Sequence, residues 1–191
     1  LGSSCIYPLN ADNPISEDSF MTGQLEPTNS PYALAKIAGI EIGRSLNLQY
    51  GNEVVNLMPT NLYGPNDNYH EKNSHVMAAL IKKFCDAEKN NEKCVTCWGT
   101  GNPMREFMHV EDLAESTVFC LENWSPNDEN APKDENGNPL TFLNVGTGKD
   151  ISIRDLALLI AKETKFKGEI IWNKEMPDGT PKKLLNVDKI K

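Results

Sequence analysis

The longest helix that the sequence predicts begins with the stretch Ser30-Pro31-Tyr32-Ala33-Leu34-Ala35-Lys36. A serine followed by a proline is a common helix start, because the serine can cap the helix and the proline fits its first turn. Tyr32 and Lys36 are four residues apart, so their side chains lie one above the other on one helix face. An ammonium beside a phenol favours the phenolate and suits proton transfer at neutral pH. The same spacing also arises by chance in helices whose lysine is merely solvated.

Strands and helices alternate along the rest of the chain. Strands are predicted at residues 54–58, 95–98, 106–109, 141–145 and 168–172, and helices at residues 30–50, 74–88, 111–123 and from the capping box 152–155 onward. This alternation predicts an α/β fold with a parallel sheet. We also expect residues 1–7 to end a strand and residues 9–30 to form a long loop. The apolar stripe predicted for the first helix consists of Leu34, Ile37, Ala38 and Ile42.

The composition narrows the class of protein. Hydrophobic residues make up 39% and charged residues 24% of the 191 residues, as in ordinary globular proteins. A net charge of -8 argues against a general nucleic-acid or anionic-membrane surface, and no apolar run is long enough to cross a membrane. The five cysteines lack framework spacing, which indicates reduced thiols in a cytoplasmic protein. Cys94 and Cys97 form half of a zinc or redox signature, but no second pair follows, and we predict no metal site.

Polar residues near the amino terminus suggest a site. Ser3, Ser4 and Cys5 lie where a parallel strand is predicted to end, and ligands of open α/β sheets bind outside the carboxyl ends of the strands. Together with Tyr32 and Lys36, they place a hydroxyl, a phenol and an ammonium where all three could converge on one carbonyl. This Ser-Tyr-Lys set resembles that of the short-chain dehydrogenase/reductase superfamily.

Further segments narrow the resemblance to one family of that superfamily. In chain order they are Leu1 to Pro8, Glu26 to Asn29, Pro31 to Gly39, Met58 to Pro65, Asn73 to Val76, Trp98 to Gly101, Arg105 to Phe107 and Pro177 to Pro181. They resemble the GDP-L-fucose synthase family. The resemblance implies an NADPH-dependent enzyme that epimerises GDP-4-keto-6-deoxy-D-mannose at C3 and C5 and then reduces its C4 ketone to give GDP-L-fucose. It also implies a homodimer.

The resemblance implies roles for five catalytic residues. Tyr32 would protonate the C4 oxygen, Lys36 would bind the nicotinamide ribose and favour the phenolate, and Ser3 would polarise the C4 carbonyl. Cys5 and His75 would be the acid/base pair of the two epimerisations. A cysteine two residues after the serine would not be expected in the related sugar 4-epimerases and dehydratases. The order of proton transfer within the pair stays open, and an inert buried thiol is the alternative interpretation of Cys5.

The resemblance also implies binding residues. Those expected to contact the cofactor are Leu1, Gly2, Ser3, Ser4, Tyr32, Lys36, Pro59, Thr60, Asn61, Leu62 and His75. Those expected to contact the GDP-sugar are Asn61, Lys83, Trp98, Arg105, Asp178 and Lys183. For the lysines, a solvated surface is the alternative interpretation, and it is the one that we adopt for Lys82 and Lys182.

The resemblance divides the chain between two predicted domains. Residues 1–64 are expected to be the carboxyl-side half of a Rossmann-type NADP-binding domain. Residues 65–191 are expected to form mainly a smaller α/β domain for the GDP-sugar, with segments at about 104–124 and 141–148 returning to the first domain. The chain lacks a glycine-rich dinucleotide fingerprint, so we expect that motif upstream of Leu1 and weak NADPH binding by residues 1–191 alone. Alternative functions are another nucleotide-sugar epimerase or dehydratase, or a non-catalytic nucleotide-sugar-binding protein.

Overall fold

Helix α1 covers Ser30–Tyr50, as predicted, in a computed structural model that describes residues 1–70 and 73–191. Pro31 lies in its first turn, and Gly51 ends it in the left-handed conformation that glycine adopts without strain. Asn29, rather than Ser30, precedes the first helical residue, and its side chain makes no capping hydrogen bond.

The buried face of α1 differs from the predicted one. Its buried residues are Ala33, Ile40 and Gly43, whereas Leu34 and Ile42 are 56% and 61% exposed. A Cβ atom on Gly43 would lie 2.7 Å from a methyl group of Val54. The helix therefore packs closely through small residues, which a search for large apolar side chains does not detect.

The remaining elements follow in alternation. They are β1 (Asn56–Pro59), β2 (Asn61–Tyr63), α2 (Val76–Lys89), β3 (Cys94–Trp98), β4 (Met104–His109), α3 (Val110–Asn123), β5 (Phe142–Val145), β6 (Asp150–Ser152), α4 (Ile153–Glu163), β7 (Glu169–Asn173) and β8 (Lys182–Lys183). Strand β1 pairs with β5 in parallel, and β3 pairs with β7 in parallel. The predicted α/β class with parallel strands is confirmed. Across residues 1–70 and 73–191, no helix combines the length and the apolar character needed to cross a membrane.

Two local predictions are wrong. Residues 4–6 form a 3-10 turn instead of a strand end, because Ser3 Oγ accepts the N–H of Cys5 at 3.2 Å. One strand-like hydrogen bond, from Gly2 N to Leu57 O at 2.8 Å, still holds this segment to β1. The predicted loop after β1 contains the short strand β2.

The described chain divides into two compact units. The first unit comprises residues 1–62, 106–149 and 183–191, and the second comprises residues 63–105 and 150–182. Strands β2, β4, β6 and β8 lie at the points where the chain passes from one unit to the other.

The first unit has its core around β1 and β5. Leu57 and Leu143 are opposite each other in the two strands, and all four residues of β5 are buried. Ile40 of α1, Leu113 of α3 and Leu185 of the carboxyl-terminal segment belong to the same buried cluster. Near-continuous apolar strands of this kind are typical of parallel sheets covered on both faces.

The second unit is built from α2, α4 and the pair β3–β7. The predicted capping box is confirmed, since Ser152 Oγ accepts the N–H of Asp155 at 2.9 Å. Helix α2 has His75 as its N-cap and begins at Val76, two residues after the predicted start at residue 74. Val76 of α2 and Leu159 of α4 are 37% and 48% exposed. The segment 71–72 lies outside the described residues.

Glu106 in β4 is a fully buried carboxylate in the first unit. Its Oε1 accepts the N–H of Gly148 at 2.7 Å, and its Oε2 accepts the N–H of Leu185 at 3.0 Å. A Cβ atom on Gly146 would collide with Oε1. The close approach of the backbone to the carboxylate therefore requires glycine at this position. The carboxylate joins the segment after β5 to the carboxyl-terminal segment.

Replacing Glu106 with alanine is expected to lower the free energy of unfolding by about 2–4 kcal/mol, because two backbone N–H groups lose a charged acceptor. Guanidinium denaturation measures the change, and Glu129→Ala, at an exposed position of the same unit, is the matched control. Equal stability of the two variants would contradict this role for Glu106.

Glu17 is a second buried acid of the first unit, 2% exposed. Its Oε1 accepts the N–H of Asn144 at 2.9 Å, and its Oε2 has no hydrogen-bond partner within the described residues. Burial raises the pKa of Glu17, and the hydrogen bond from Asn144 offsets part of that rise. The pKa of Tyr7 is also raised, first by burial and then by the charge of Glu17.

The raised pKa of Glu17 predicts a pH-dependent stability. The folded state holds the proton more tightly than the unfolded state, so the contribution of Glu17 is complete below pH 4.5 and is lost as the pH rises through the folded-state pKa. In Glu17→Gln the free energy of unfolding should fall less steeply with pH over that window than in the parent protein. Glu129→Gln is the control. An equally steep fall of the free energy of unfolding with pH in Glu17→Gln and in the parent protein would refute this assignment.

Candidate functional site

The start of the chain and helix α1 meet in the first unit. Lys36 Nζ donates a hydrogen bond to Leu1 O at 2.9 Å and lies 5.6 Å from the centroid of the Tyr32 ring. Tyr32 is 50% exposed, which leaves its phenol accessible to a ligand. The predicted Tyr-Lys pair and the amino-terminal segment therefore lie side by side.

The amino-terminal segment holds two of the predicted reactive groups. The hydrogen bond from Cys5 N to Ser3 Oγ ties the serine hydroxyl to the residue that carries the thiol. Cys5 is half-buried, and its Sγ accepts a hydrogen bond from Lys183 Nζ at 3.5 Å. Lys183 was expected to bind the sugar nucleotide, and the structure gives its ammonium a protein partner, the thiol.

Strand β4 holds the segment after β1 through two hydrogen bonds. Thr60 Oγ1 and Asn61 Nδ2 both donate to the backbone oxygen of Glu106, at 3.1 and 2.9 Å. Pro59 is buried, and Leu62 is half-buried. Two of these four predicted cofactor contacts are therefore held by hydrogen bonds within the first unit.

The second unit contains a separate cluster around Trp98. Lys83 Nζ lies 5.5 Å from the Trp98 ring and donates to Thr96 O at 3.2 Å. Between α2 and the end of β3 is a cavity of about 260 Å³, whose lining includes Leu80, Lys83, Cys97 and Trp98. Trp98 is 63% exposed, so its ring offers a face for stacking beside a positive charge.

Asp178 binds the turn that follows Trp98. Its Oδ1 accepts the N–H of Thr100 at 2.6 Å, and its Oδ2 accepts the Thr100 hydroxyl at 2.7 Å. The Thr100 side-chain hydrogen bond is the main cause that lowers the pKa of Asp178. A Cβ atom on Gly99 would collide with this carboxylate, so the turn requires glycine there. Asp178 was expected to contact substrate, and in this structure it holds the turn.

Arg105 and Arg154 complete this cluster. Arg105 is half-buried beside Asp178, and burial lowers the pKa of its guanidinium, a change partly reversed by the carboxylate. Arg154 donates from Nη2 to Thr100 O at 2.6 Å and stacks over Trp172, with 5.1 Å from the guanidinium carbon to the ring centroid. Thr100 is therefore bonded to groups from two other segments of the second unit.

His75 also belongs to the second unit. It precedes α2, its backbone oxygen accepts the N–H of Ala79 at 2.9 Å, and its side chain is exposed. Of the predicted site residues, His75, Lys83, Trp98, Arg105 and Asp178 lie in this unit and the others in the first. The structure thus brings together Tyr32, Lys36 and the segment 1–5 in one cluster, and Lys83 with Trp98 in another.

Sequence reasoning missed the supporting residues Glu106 and Thr100. The sequence of β4 gives no clear signal for Glu106, because the strand also contains Arg105 and His109 and only Glu106 and Met108 of its six residues are buried. For Thr100 no local signal exists, because Asp178 is distant in sequence.

The donors of the first unit suit a dinucleotide. A lysine ammonium has three N–H groups, and Leu1 O uses one from Lys36, which leaves the others for ribose hydroxyls. The exposed Tyr32 phenol beside it can reach a group bound over the same surface. The residues present therefore fit the nicotinamide half of NADPH.

Comparisons with known proteins bear on this arrangement. A model of the NAD dependent epimerase/dehydratase family matches residues 1–132. GDP-L-fucose synthase of Escherichia coli (strain K12) is 48% identical over 195 residues, covering 100% of this chain and 58% of that protein. The chain thus spans little more than half of the length of that relative.

Two solved structures are similar over nearly the whole chain. A GDP-6-OMe-4-keto-L-xylo-heptose reductase from C. jejuni superimposes with a TM-score of 0.89 and 33% identity, covering 99% of this chain and 62% of that one. A GDP-mannoheptose C4 reductase from Campylobacter jejuni with NADP bound has a TM-score of 0.83 and 32% identity, covering 99% and 61%.

Proposed function

Because this chain belongs to the NAD dependent epimerase/dehydratase family, we propose that its full-length gene product converts GDP-4-keto-6-deoxy-D-mannose to GDP-L-fucose. The observation that carries the proposal is that Ser3, Cys5, Tyr32 and Lys36 lie in one cluster of the first unit, held by hydrogen bonds from Cys5 N to Ser3 Oγ and from Lys36 Nζ to Leu1 O. The hydroxyl, the phenol and the ammonium of this set can polarise a ketone and protonate its oxygen during reduction. A thiol with a second acid/base group adds the means to move protons at carbon.

The epimerisations use the acidity of hydrogens next to a ketone. C3 and C5 both adjoin the C4 carbonyl, so removal of either proton leaves an enolate with its charge on the C4 oxygen. Cys5 and His75 exchange these protons: one accepts the proton from carbon, and the other returns a proton to the opposite face. Ser3 donates a hydrogen bond to the C4 oxygen and stabilises the enolate charge.

The reduction follows at C4. When bound, NADPH supplies the hydride for this carbon. Tyr32 donates its phenolic proton to the C4 oxygen, and Lys36 binds the ribose hydroxyls while its positive charge stabilises the phenolate that remains. Thr60 and Asn61, held by the backbone of Glu106, orient the neighbouring surface.

We propose that the second unit binds the GDP group. Trp98 offers a ring for stacking, and Lys83 and Arg105 offer cations for the diphosphate. A lysine makes a point contact with phosphate where an arginine would make a bidentate one, so Lys83 contributes charge rather than a fixed geometry.

The proposed assembly is a cytoplasmic homodimer. Helix α1 carries the exposed apolar residues Leu34, Ile42, Leu46 and Leu48, a surface suited to pairing with a second copy. Such packing would bury apolar side chains that the single chain leaves in water.

A second candidate function is reduction at C4 without epimerisation. It is favoured by the similarity to two GDP-heptose C4-carbonyl reductases. The two functions are distinguished by incubating the full-length gene product with GDP-4-keto-6-deoxy-D-mannose and NADPH and identifying the product by NMR. GDP-L-fucose supports the proposal, whereas a reduced sugar with unchanged C3 and C5 supports the second candidate.

A further inference from the structure

The contact between Lys183 and Cys5 joins two distant parts of the first unit. Lys183 Nζ lies 3.5 Å from Cys5 Sγ, within hydrogen-bond distance of sulfur, and both side chains are half-buried. A half-buried position screens a charge less than open solvent does, and an ammonium at this distance favours negative charge on the sulfur.

The backbone around Lys183 is fixed by hydrogen bonds to the loop before α1. Leu184 N donates to the side chain of Asn13 at 2.8 Å, and Leu184 O accepts the N–H of Ile15 at 2.8 Å. Asn186 N donates to Ile15 O at 2.8 Å. Glu106 adds the hydrogen bond to Leu185 N. The chain therefore fixes the three residues that directly follow Lys183, and with them the position of Lys183 beside the thiol.

We propose that Lys183 is a positioning residue for Cys5, whose ammonium stabilises negative charge on Sγ during the proton transfers at C3 and C5. This inference rests on the proposed function. When the thiolate accepts a proton from carbon, the C–H electron pair moves into the enolate and Sγ becomes neutral. When the thiol gives a proton to carbon, Sγ becomes negative. In either direction the ammonium stabilises the charged form of the same atom.

This role differs from the one expected for Lys183 as a ligand of the GDP-sugar. If Lys183 only bound the diphosphate, its replacement would weaken substrate binding and would leave the reactivity of the free Cys5 thiol unchanged. The two roles therefore predict different behaviour of Cys5 in the absence of substrate.

Alkylation of Cys5 by iodoacetamide tests the proposal without substrate or cofactor, because the thiolate is the reacting form. The full-length protein is alkylated at pH 7.5, and peptide mass spectrometry follows Cys5 separately from the exposed Cys85 and Cys94. We expect Lys183→Met to slow alkylation of Cys5 about three- to fivefold, since the loss of thiolate is partly offset by the greater nucleophilicity of the thiolate that remains. Lys183→Arg should restore the parent rate.

Lys182→Met is the matched control. It removes the same charge from the adjacent residue, whose ammonium pairs with Asp150 at 3.3 Å in the second unit. An unchanged rate at Cys5 in Lys183→Met, slowing that extends equally to Cys85 and Cys94, or no rescue by arginine would overturn the proposal. Since no sugar nucleotide takes part, this result is independent of the product assay that tests the proposed function.

A kinetic measurement separates the two roles further. With GDP-4-keto-6-deoxy-D-mannose, Lys183→Met should lower kcat for solvent hydrogen exchange more than it raises KM. A raised KM with unchanged kcat and unchanged alkylation would assign Lys183 to substrate binding instead.

Discussion

Replacing Tyr32 with phenylalanine is expected to lower kcat for NADPH-dependent reduction about 10²- to 10⁴-fold, because the C4 oxygen loses its proton donor. The side chain is half-exposed, so the change removes one hydroxyl with little effect on packing. Exchange of the C3 and C5 hydrogens with solvent should continue, since those steps use Cys5 and His75. NADPH oxidation and deuterium incorporation measure the two activities in the same sample.

The matched control for this change is Tyr50→Phe. Tyr50 lies at the end of the same helix, is 72% exposed and belongs to no predicted site. It should reduce the ketone at the parent rate. Reduction by Tyr32→Phe at a rate close to that of Tyr50→Phe would remove Tyr32 from the mechanism.

The second large effect is expected for Cys5→Ala. This variant should exchange the C3 and C5 hydrogens of the substrate with solvent about 10²- to 10⁴-fold more slowly, because one member of the acid/base pair is missing. Reduction at C4 remains chemically possible, since Ser3, Tyr32 and Lys36 are unchanged. Any product that forms should therefore carry a reduced C4 with the original configuration at C3 and C5.

Cys85→Ala controls for the general loss of a thiol, because Cys85 is exposed on α2 and belongs to no predicted site. His75→Gln should resemble Cys5→Ala, as expected for two groups that act in one proton exchange. Parent-like exchange in Cys5→Ala would show that the thiol is inert, the alternative that the sequence left open.

The parts of the fold that the sequence predicts well depend on local signals. Pro31 and Gly51 mark the two ends of α1 through their own backbone restrictions, and the Ser152–Asp155 box marks the start of α4. The continuous apolar character of β1 and β5 indicates buried parallel strands. These signals lie within one element, so the surrounding structure cannot easily override them.

The parts that the sequence does not predict depend on distant partners or on close packing. The contacts of Glu106 join it to Gly148 and Leu185, far along the chain, and Thr100 meets Asp178 in the same way. Helix α1 approaches Val54 closely through Gly43, and of the stripe expected from side-chain size Ile37 packs against the core whereas Leu34 and Ile42 stay exposed. The pairing of Lys183 with Cys5 belongs to the same class, since nothing near either residue indicates the other.

The roles of the predicted site residues remain predictions. The motifs indicated Ser3, Cys5, Tyr32 and Lys36 by residue type, and the structure adds the contacts that hold the first unit's cluster together. His75 lies in the second unit. The proposed proton transfers by Cys5 and His75 are tested by following hydrogen isotopes at C3 and C5 of the substrate.

The most direct test of the account is one turnover of GDP-4-keto-6-deoxy-D-mannose in D₂O with NADPH and the full-length gene product. We expect GDP-L-fucose with deuterium on C3 and C5 and with protium on C4, because solvent supplies the epimerisation protons and NADPH supplies the hydride. A reduced product without deuterium at C3 and C5 would refute the proposed epimerisations and identify a simple C4 reductase.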